Sequence, residues 1–183
     1  MGLRRKISGF IFHRLMGWTE LFTLDYPEKC IICAAPHTSN WDLFVGKLFA
    51  WANGIDAGFM MKKDWFFWPL GPIFRHMGGI PVDRSKHCSM VDAMVATARQ
   101  SETFHLTLTP EGTRKANPKW KKGFYYIARG ANLPICLMVL DYGNKRVVAE
   151  KIVVPDGDID RQMKEIKKYY AGFVGRHPDK FAI

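Results

Sequence analysis

The sequence predicts one α/β domain with a mostly parallel central sheet flanked by helices, preceded by an amphipathic helix. Three observations lead there. Short apolar runs alternate with segments of helical spacing. The connections between them are short, with no linker rich in Pro, Gly or Ser. The 183 residues suffice for one unit with a buried core. The expected division is residues 1–24 for the helix and 25–183 for the domain.

Residues 1–24 set Arg4, Arg5, Lys6 and Arg14 against Ile7, Phe10, Ile11, Leu15, Trp18 and Phe22. The apolar positions recur every three or four residues, which makes a stripe along one helix face. Such a helix can lie flat on an anionic bilayer or pack on a core, and composition serves both readings. "CIICAA" then reads as a strand, "NWDLFVGKLFAWAN" as a helix stopping near Asn53 and Gly54, and "DAGFMM" as a second strand. The aromatic stretch "KDWFFWPLGPIFRHMG" is broken by Pro69 and Pro72, and "GGIPVDR" follows as a short strand or extended turn. "SMVDAMVATARQ" has the spacing of a helix covering a sheet, and "FHLTL" is a strand ending in the turn "TPEGTRK". "KKGFYYIARGANLP" is a helix stopped by Gly130 and Pro134. "ICLMVLDYG" and "KRVVAEKIVVP" are strands around Gly143 and Asn144, and "DIDRQMKEIKKYYAGFVG" closes the chain as a helix.

Composition narrows the chemistry. Lys and Arg total 27 against 17 acidic residues, a formal charge of +10, so the chain attracts polyanions. Nucleic acid would require a continuously basic helix or a stacking platform, and the sequence offers neither. No window reaches the roughly 18–20 apolar residues of a membrane-spanning helix. Cys30, Cys33, Cys88 and Cys136 accompany no recognisable signal peptide, which favours a reducing compartment. Cys30 and Cys33 sit on the strand "KCIICAA" with side chains on opposite faces, so their C-x-x-C spacing reads as inert core thiols. His76 and His87 stand isolated, and His13, His105 and His177 lie far from any carboxylate cluster, so no metal set is expected.

Three turns carry the chemistry, and each sits at or just after a strand, which places them on one rim of the sheet. In "PHTSNWD", His37 and Asp42 are five apart, about 500° around a helix, so they can meet only across a bend. Pro36 and the cap formers Thr38, Ser39 and Asn40 supply that bend. A carboxylate there can fix one imidazole nitrogen and free the other to take a proton. This is the base and orienter of a serine hydrolase without its serine, whose place a substrate hydroxyl could take. A purely structural pair would look the same. In "TPEGTRK", Gly112 beside Glu111, Arg114 and Lys115 offers backbone N–H groups and a guanidinium fork suited to phosphate, and a simple polar turn is the alternative. "GGIPVDR" adds Arg84 after two glycines, or it is a hairpin with a surface arginine.

Together these stretches resemble the glycerolipid acyltransferases typified by 1-acyl-sn-glycerol-3-phosphate acyltransferase. The family's histidine, four residues and aspartate stand here as "HTSNWD", its glycine-to-arginine motif as "GGIPVDR", its third motif as "TPEGTRK" and its fourth as "LPICLMVL", in order, over residues 30 to 142. Thr109 stands where the family usually has Phe, and Lys115 where it has Ser. The resemblance implies that His37 is the general base and Asp42 its orienter. It implies an acceptor site of Arg84, Glu111, Gly112, Thr113 and Arg114, with Lys62 or Lys63 before the second motif. It implies acyl transfer from acyl-CoA or acyl carrier protein to the hydroxyl of a (lyso)phospholipid or related glycerol phosphate, with no cofactor. The alternatives are an acceptor without phosphate, such as an amino-acid lipid, and a catalytically silent lipid-binding protein of the same fold. The implied location is cytoplasmic, peripheral on the anionic inner face of the cell membrane, through the N-terminal helix and the "DWFFWPLGPIF" surface.

Overall fold

The computed structural model describes residues 2–23, 26–82 and 87–183, with the backbone alone for 87–89. In chain order the elements are α1 (Leu3–Gly9), a π-helical continuation Phe10–Leu15, β1 (Thr19–Phe22), β2 (Lys29–Ala35), α2 (Trp41–Ala52) and β3 (Gly58–Lys62). There follow a 3-10 turn Lys63–Trp65, α3 (Leu70–His76), β4 (Gly79–Val82), α4 (His87–Gln100) and β5 (Phe104–Leu108). The chain ends through α5 (Gly123–Ala131), β6 (Ile135–Asp141), β7 (Arg146–Val153), α6 (Ile159–Tyr170) and a 3-10 turn Pro178–Lys180.

The seven strands form one sheet in the order β1-β7-β6-β2-β5-β3-β4. Strands β6, β2, β5, β3 and β4 run parallel, while β7 is antiparallel to β6 and β1 parallel to β7. β2 is the centre, and its near-continuous burial is what a parallel strand covered on both faces requires. Alternation along the strands builds two cores. Ile31, Cys33 and Ala35 of β2 with Ile135, Leu137 and Val139 of β6 face α4, α5 and α6. Cys30, Ile32 and Ala34 with Cys136, Met138 and Leu140 face α2 and the N-terminal helical segment. The C-x-x-C thiols therefore lie in opposite cores, free and buried, and burial pushes the Cys33 thiol above its ordinary range.

Two elements differ from the sequence reading. The expected helix over residues 1–24 ends at Leu15, because Gly17 adopts φ +67° and Thr19–Phe22 become an edge strand pairing Thr19 with Arg146. The helix expected to stop at Gly130 runs one residue further, to Ala131, and ends on Asn132 in the left-handed conformation, φ 56°. The N-terminal segment is divided between core and surface. Phe12 and Trp18 are buried in the core, while Leu3, Ile7, Phe10 and Leu15 are exposed. Among the described residues no helix is long and apolar enough to cross a membrane.

Candidate active site

Because β2, β5, β3 and β4 are parallel, their carboxyl ends share one edge, and the loops after β2 and β5 meet there. Pro36 ends β2 and turns the chain, so His37 precedes α2 while Asp42 lies in its first turn. The imidazole Nδ1 of His37 donates to Asp42 Oδ2 at 3.1 Å, which leaves Nε2 as the proton-accepting nitrogen. The same Oδ2 accepts the backbone N–H groups of Thr38 (2.8 Å) and Ser39 (2.9 Å), and Oδ1 accepts the Tyr142 hydroxyl at 2.7 Å. Four donors and the N-terminus of α2 fix this buried carboxylate in place.

The loop after β5 supports the histidine from behind. Glu111 is buried, and its Oε1 accepts the His37 backbone N–H at 2.7 Å. Its Oε2 has no hydrogen-bond partner among the described residues, and burial holds the carboxyl above its ordinary range. Gly112 has φ +64°, and a Cβ there would come within 3.1 Å of Lys121. The loop is closed by Asn117 Nδ2 donating to the Glu111 carbonyl (2.9 Å) and Lys121 N to the Pro110 carbonyl (2.6 Å). The C-terminal segment closes the other side: the His177 N–H donates to Thr38 Oγ1 at 3.1 Å, and a Cβ on Gly175 would lie 3.0 Å from Pro36 and Thr38.

His37 and Asp42 line a cavity of about 560 Å³ that runs between α2 and the sheet. Gly112, Thr113, Arg114, Lys62 and Trp65 stand at its mouth, and Ile32, Ala34, Phe49, Ala50, Ile55, Ala57 and Phe59 make its apolar wall. Of the two lysines before the second motif, Lys62 lines the cavity and pairs with Asp64, while Lys63 is exposed on the 3-10 turn. Arg84 lies outside the described residues; the strand that leads to it, β4, ends on the same edge. A basic rim over an apolar slot beside an acid-held imidazole is suited to a molecule with an anionic head, a hydroxyl and a long apolar tail.

A family model described as Acyltransferase matches residues 23–141. The chain belongs to the acyltransferase family. Among curated relatives, a 1-acyl-sn-glycerol-3-phosphate acyltransferase of Limnanthes alba is 29% identical over 74% of this chain and 51% of its own length. One of Cocos nucifera is 27% identical over 74% of this chain and 46% of its own. The chain thus spans about half the length of the curated relatives it matches. Among solved structures, the 1-acyl-sn-glycerophosphate (LPA) acyltransferase PlsC from Thermotoga maritima superposes with a TM-score of 0.62 over 91% of this chain and 76% of that one. At 14% identity that likeness is one of fold.

Sequence reasoning missed three parts of this candidate site. Tyr142 reaches Asp42 across 100 positions of sequence, and no local pattern signals it. Arg176 lies near Tyr142, favouring its ionised form against burial, and stacks on Trp41 at 5.4 Å. Lys47, which the sequence reading did not single out, is 5% exposed and lines the cavity. Its Nζ donates to the Ala57 carbonyl at 2.8 Å, and burial lowers it from its usual value to about 8, Asp56 opposing and Arg4 assisting.

Proposed function

We propose that the protein is an O-acyltransferase that moves a fatty acyl group from acyl-CoA or acyl carrier protein to the hydroxyl of a lysophosphatidate-like glycerol phosphate. The observation that carries this reading is the His37–Asp42 pair, 3.1 Å apart, at the mouth of an apolar cavity rimmed by Lys62 and Arg114. The acceptor oxygen attacks the thioester carbonyl as its proton passes to His37 Nε2. The tetrahedral adduct then expels the thiolate, which takes the proton back from the imidazolium. Asp42 keeps Nδ1 protonated throughout and offsets the charge of the imidazolium. No acyl-enzyme forms. Arg114 and Lys62, with Arg84 and with Lys63 next to Lys62, hold the acceptor phosphate, and the loop Glu111–Gly112–Thr113 sets the position of Arg114. The acyl chain lies in the cavity.

Exposed apolar side chains support a peripheral seat on the anionic inner face of the cell membrane. Trp41, Phe44, Trp65, Phe67, Trp68 and Ile73 are exposed around the mouth side, and Trp68 is 85% exposed. Leu3, Ile7, Phe10 and Leu15 extend the apolar surface along the N-terminal segment beside Arg4, Arg5, Lys6 and Arg14. The chain's charge of +10 draws the same surface, CoA phosphates and an acidic carrier protein.

The test is an acyl-transfer assay with both donors against lysophosphatidate, glycerol 3-phosphate and an amino-acid lipid. Transfer to a phosphate-bearing acceptor is expected, and Arg114→Ala should raise the acceptor KM more than the donor KM. Preference for an acceptor without phosphate, or equal effects of Arg114→Ala on both substrates, would overturn the acceptor assignment.

A further inference from the structure

The cavity has a mouth and a floor, and the floor is not apolar. β3 runs from Gly58 to Lys62, with Lys62 at the catalytic rim and Ala57 just before the opposite end. Five residue steps separate them, about 16 Å at the usual rise of an extended chain. At the Ala57 end the Lys47 ammonium donates to the Ala57 carbonyl, and the rings of Trp51 and Phe59 flank it at 5.2 and 5.7 Å. Tyr26 also lines the cavity there; its ring meets His105, which lies beside Gly58 across the sheet. The Tyr26 hydroxyl and Trp51 Nε1 are buried without hydrogen-bond partners among the described residues. The apolar walls thus end on a buried ammonium and a buried hydroxyl. A lysine is almost never buried to this degree on an apolar surface unless something is gained by it.

We infer that Lys47, with the Tyr26 hydroxyl, is the specificity-determining floor of the acyl pocket, stopping an apolar chain end and accepting one that carries a hydroxyl. The inference rests on the acyl-transfer reading of the site. A methyl terminus pushed against the ammonium displaces the polar surroundings of that charge and returns no hydrogen bond, so each further methylene gains nothing. A terminal hydroxyl instead accepts from Lys47 and meets Tyr26. Lys47 lies about one and a half helical turns beyond Asp42 on α2, too far along the helix to act on the reacting atoms. Its role is positional: it fixes how deep a donor's tail can sit.

The experiment uses the full chain with lysophosphatidate as acceptor and a donor series of lauroyl-, myristoyl-, palmitoyl- and stearoyl-CoA, each beside its ω-hydroxy counterpart. The wild type should show a sharp fall in kcat/KM at one length, and the ω-hydroxy form of the first rejected donor should recover it by roughly tenfold. Lys47→Met should accept that plain donor, about tenfold better for two more buried methylenes, and lose the preference for its hydroxylated form. The wild-type arm needs no variant, so a Lys47→Met that fails to fold leaves the test intact. A graded length profile in the wild type, indifferent to the terminal hydroxyl, overturns the inference; so does an unchanged profile in folded Lys47→Met. If no donor is transferred to any acceptor, the functional reading fails. Tryptophan fluorescence titration with the matching fatty acids then decides the floor by itself: a length cut-off relieved by ω-hydroxylation upholds it, and affinity that rises steadily with length refutes it.

Discussion

The two faces of the sheet are built from the same strands and end in opposite designs. On the face under α4, α5 and α6, large side chains fill the space: Tyr125 and Tyr170 are fully buried among Ile135, Leu137 and Val139. Their hydroxyls are satisfied too, Tyr125 donating to Gln162 Oε1 at 2.6 Å and Tyr170 to the Cys33 carbonyl at 2.5 Å. On the face under α2, small residues stand where large ones would close the gap: Ala34, Gly46, Ala50 and Ala57 all line the cavity. Buried polar groups without partners among the described residues occur on both faces, Tyr26 and Trp51 on this one and Tyr169 against the filled one. The contrast separates stability from function along a single strand. In β2, Cys33 supports the filled face and Ala34, its neighbour, opens the other.

This division predicts which property each substitution moves. The largest effect on folding belongs to the filled face. Tyr170→Ala removes a fully buried ring and its hydroxyl's bond to the Cys33 carbonyl, and should cost about 3–5 kcal/mol in urea unfolding. Activity per folded molecule should hardly change; a large loss of turnover in the folded fraction would show that the faces are not independent. Next comes Tyr142→Phe, which deletes one of four donors to the Asp42 carboxylate and should cost about 1.5–3 kcal/mol. Here turnover should fall as well, since the carboxylate that orients His37 loses a restraint. A stability loss with unaltered kcat would make Tyr142 merely structural.

A separate effect is a dependence on pH. Lys47 is lowered to about 8 in the folded chain against an ordinary 10.5, so between these values the unfolded chain binds more protons and this group makes stability rise with pH. Lys47→Met should therefore be the more stable protein near neutral pH, with its advantage shrinking from pH 8 to 10.5 in thermal melts. A constant difference across that window would mean that the amine keeps its solution behaviour.

Much of this was legible in the sequence because it is local. The bend at Pro36 brings His37 to Asp42 within six residues, and alternation in "KCIICAA" sends Cys30 and Cys33 to opposite cores. The rim was legible for a topological reason: parallel strands put their carboxyl ends on one edge, and the motifs follow those ends. What escaped is long-range or context-dependent. Thr19–Phe22 carry the helical spacing of the segment before them, and only the exposed edge of β7 turns them into a strand. Tyr142 and Gly175 act on the motif loop from a hundred positions away or more. Lys47 is polar by type and buried by placement, a combination that periodicity assigns to solvent.

The central claim is that His37, held by Asp42, takes the proton of the acceptor hydroxyl. The measurement that tests it most directly is release of free thiol from an acyl thioester in the presence of lysophosphatidate, comparing wild type with His37→Ala after both are shown to melt alike. The account predicts a loss of about 10² to 10⁴ in turnover with little change in acceptor affinity. A folded His37→Ala that transfers acyl groups at close to the wild-type rate would contradict it.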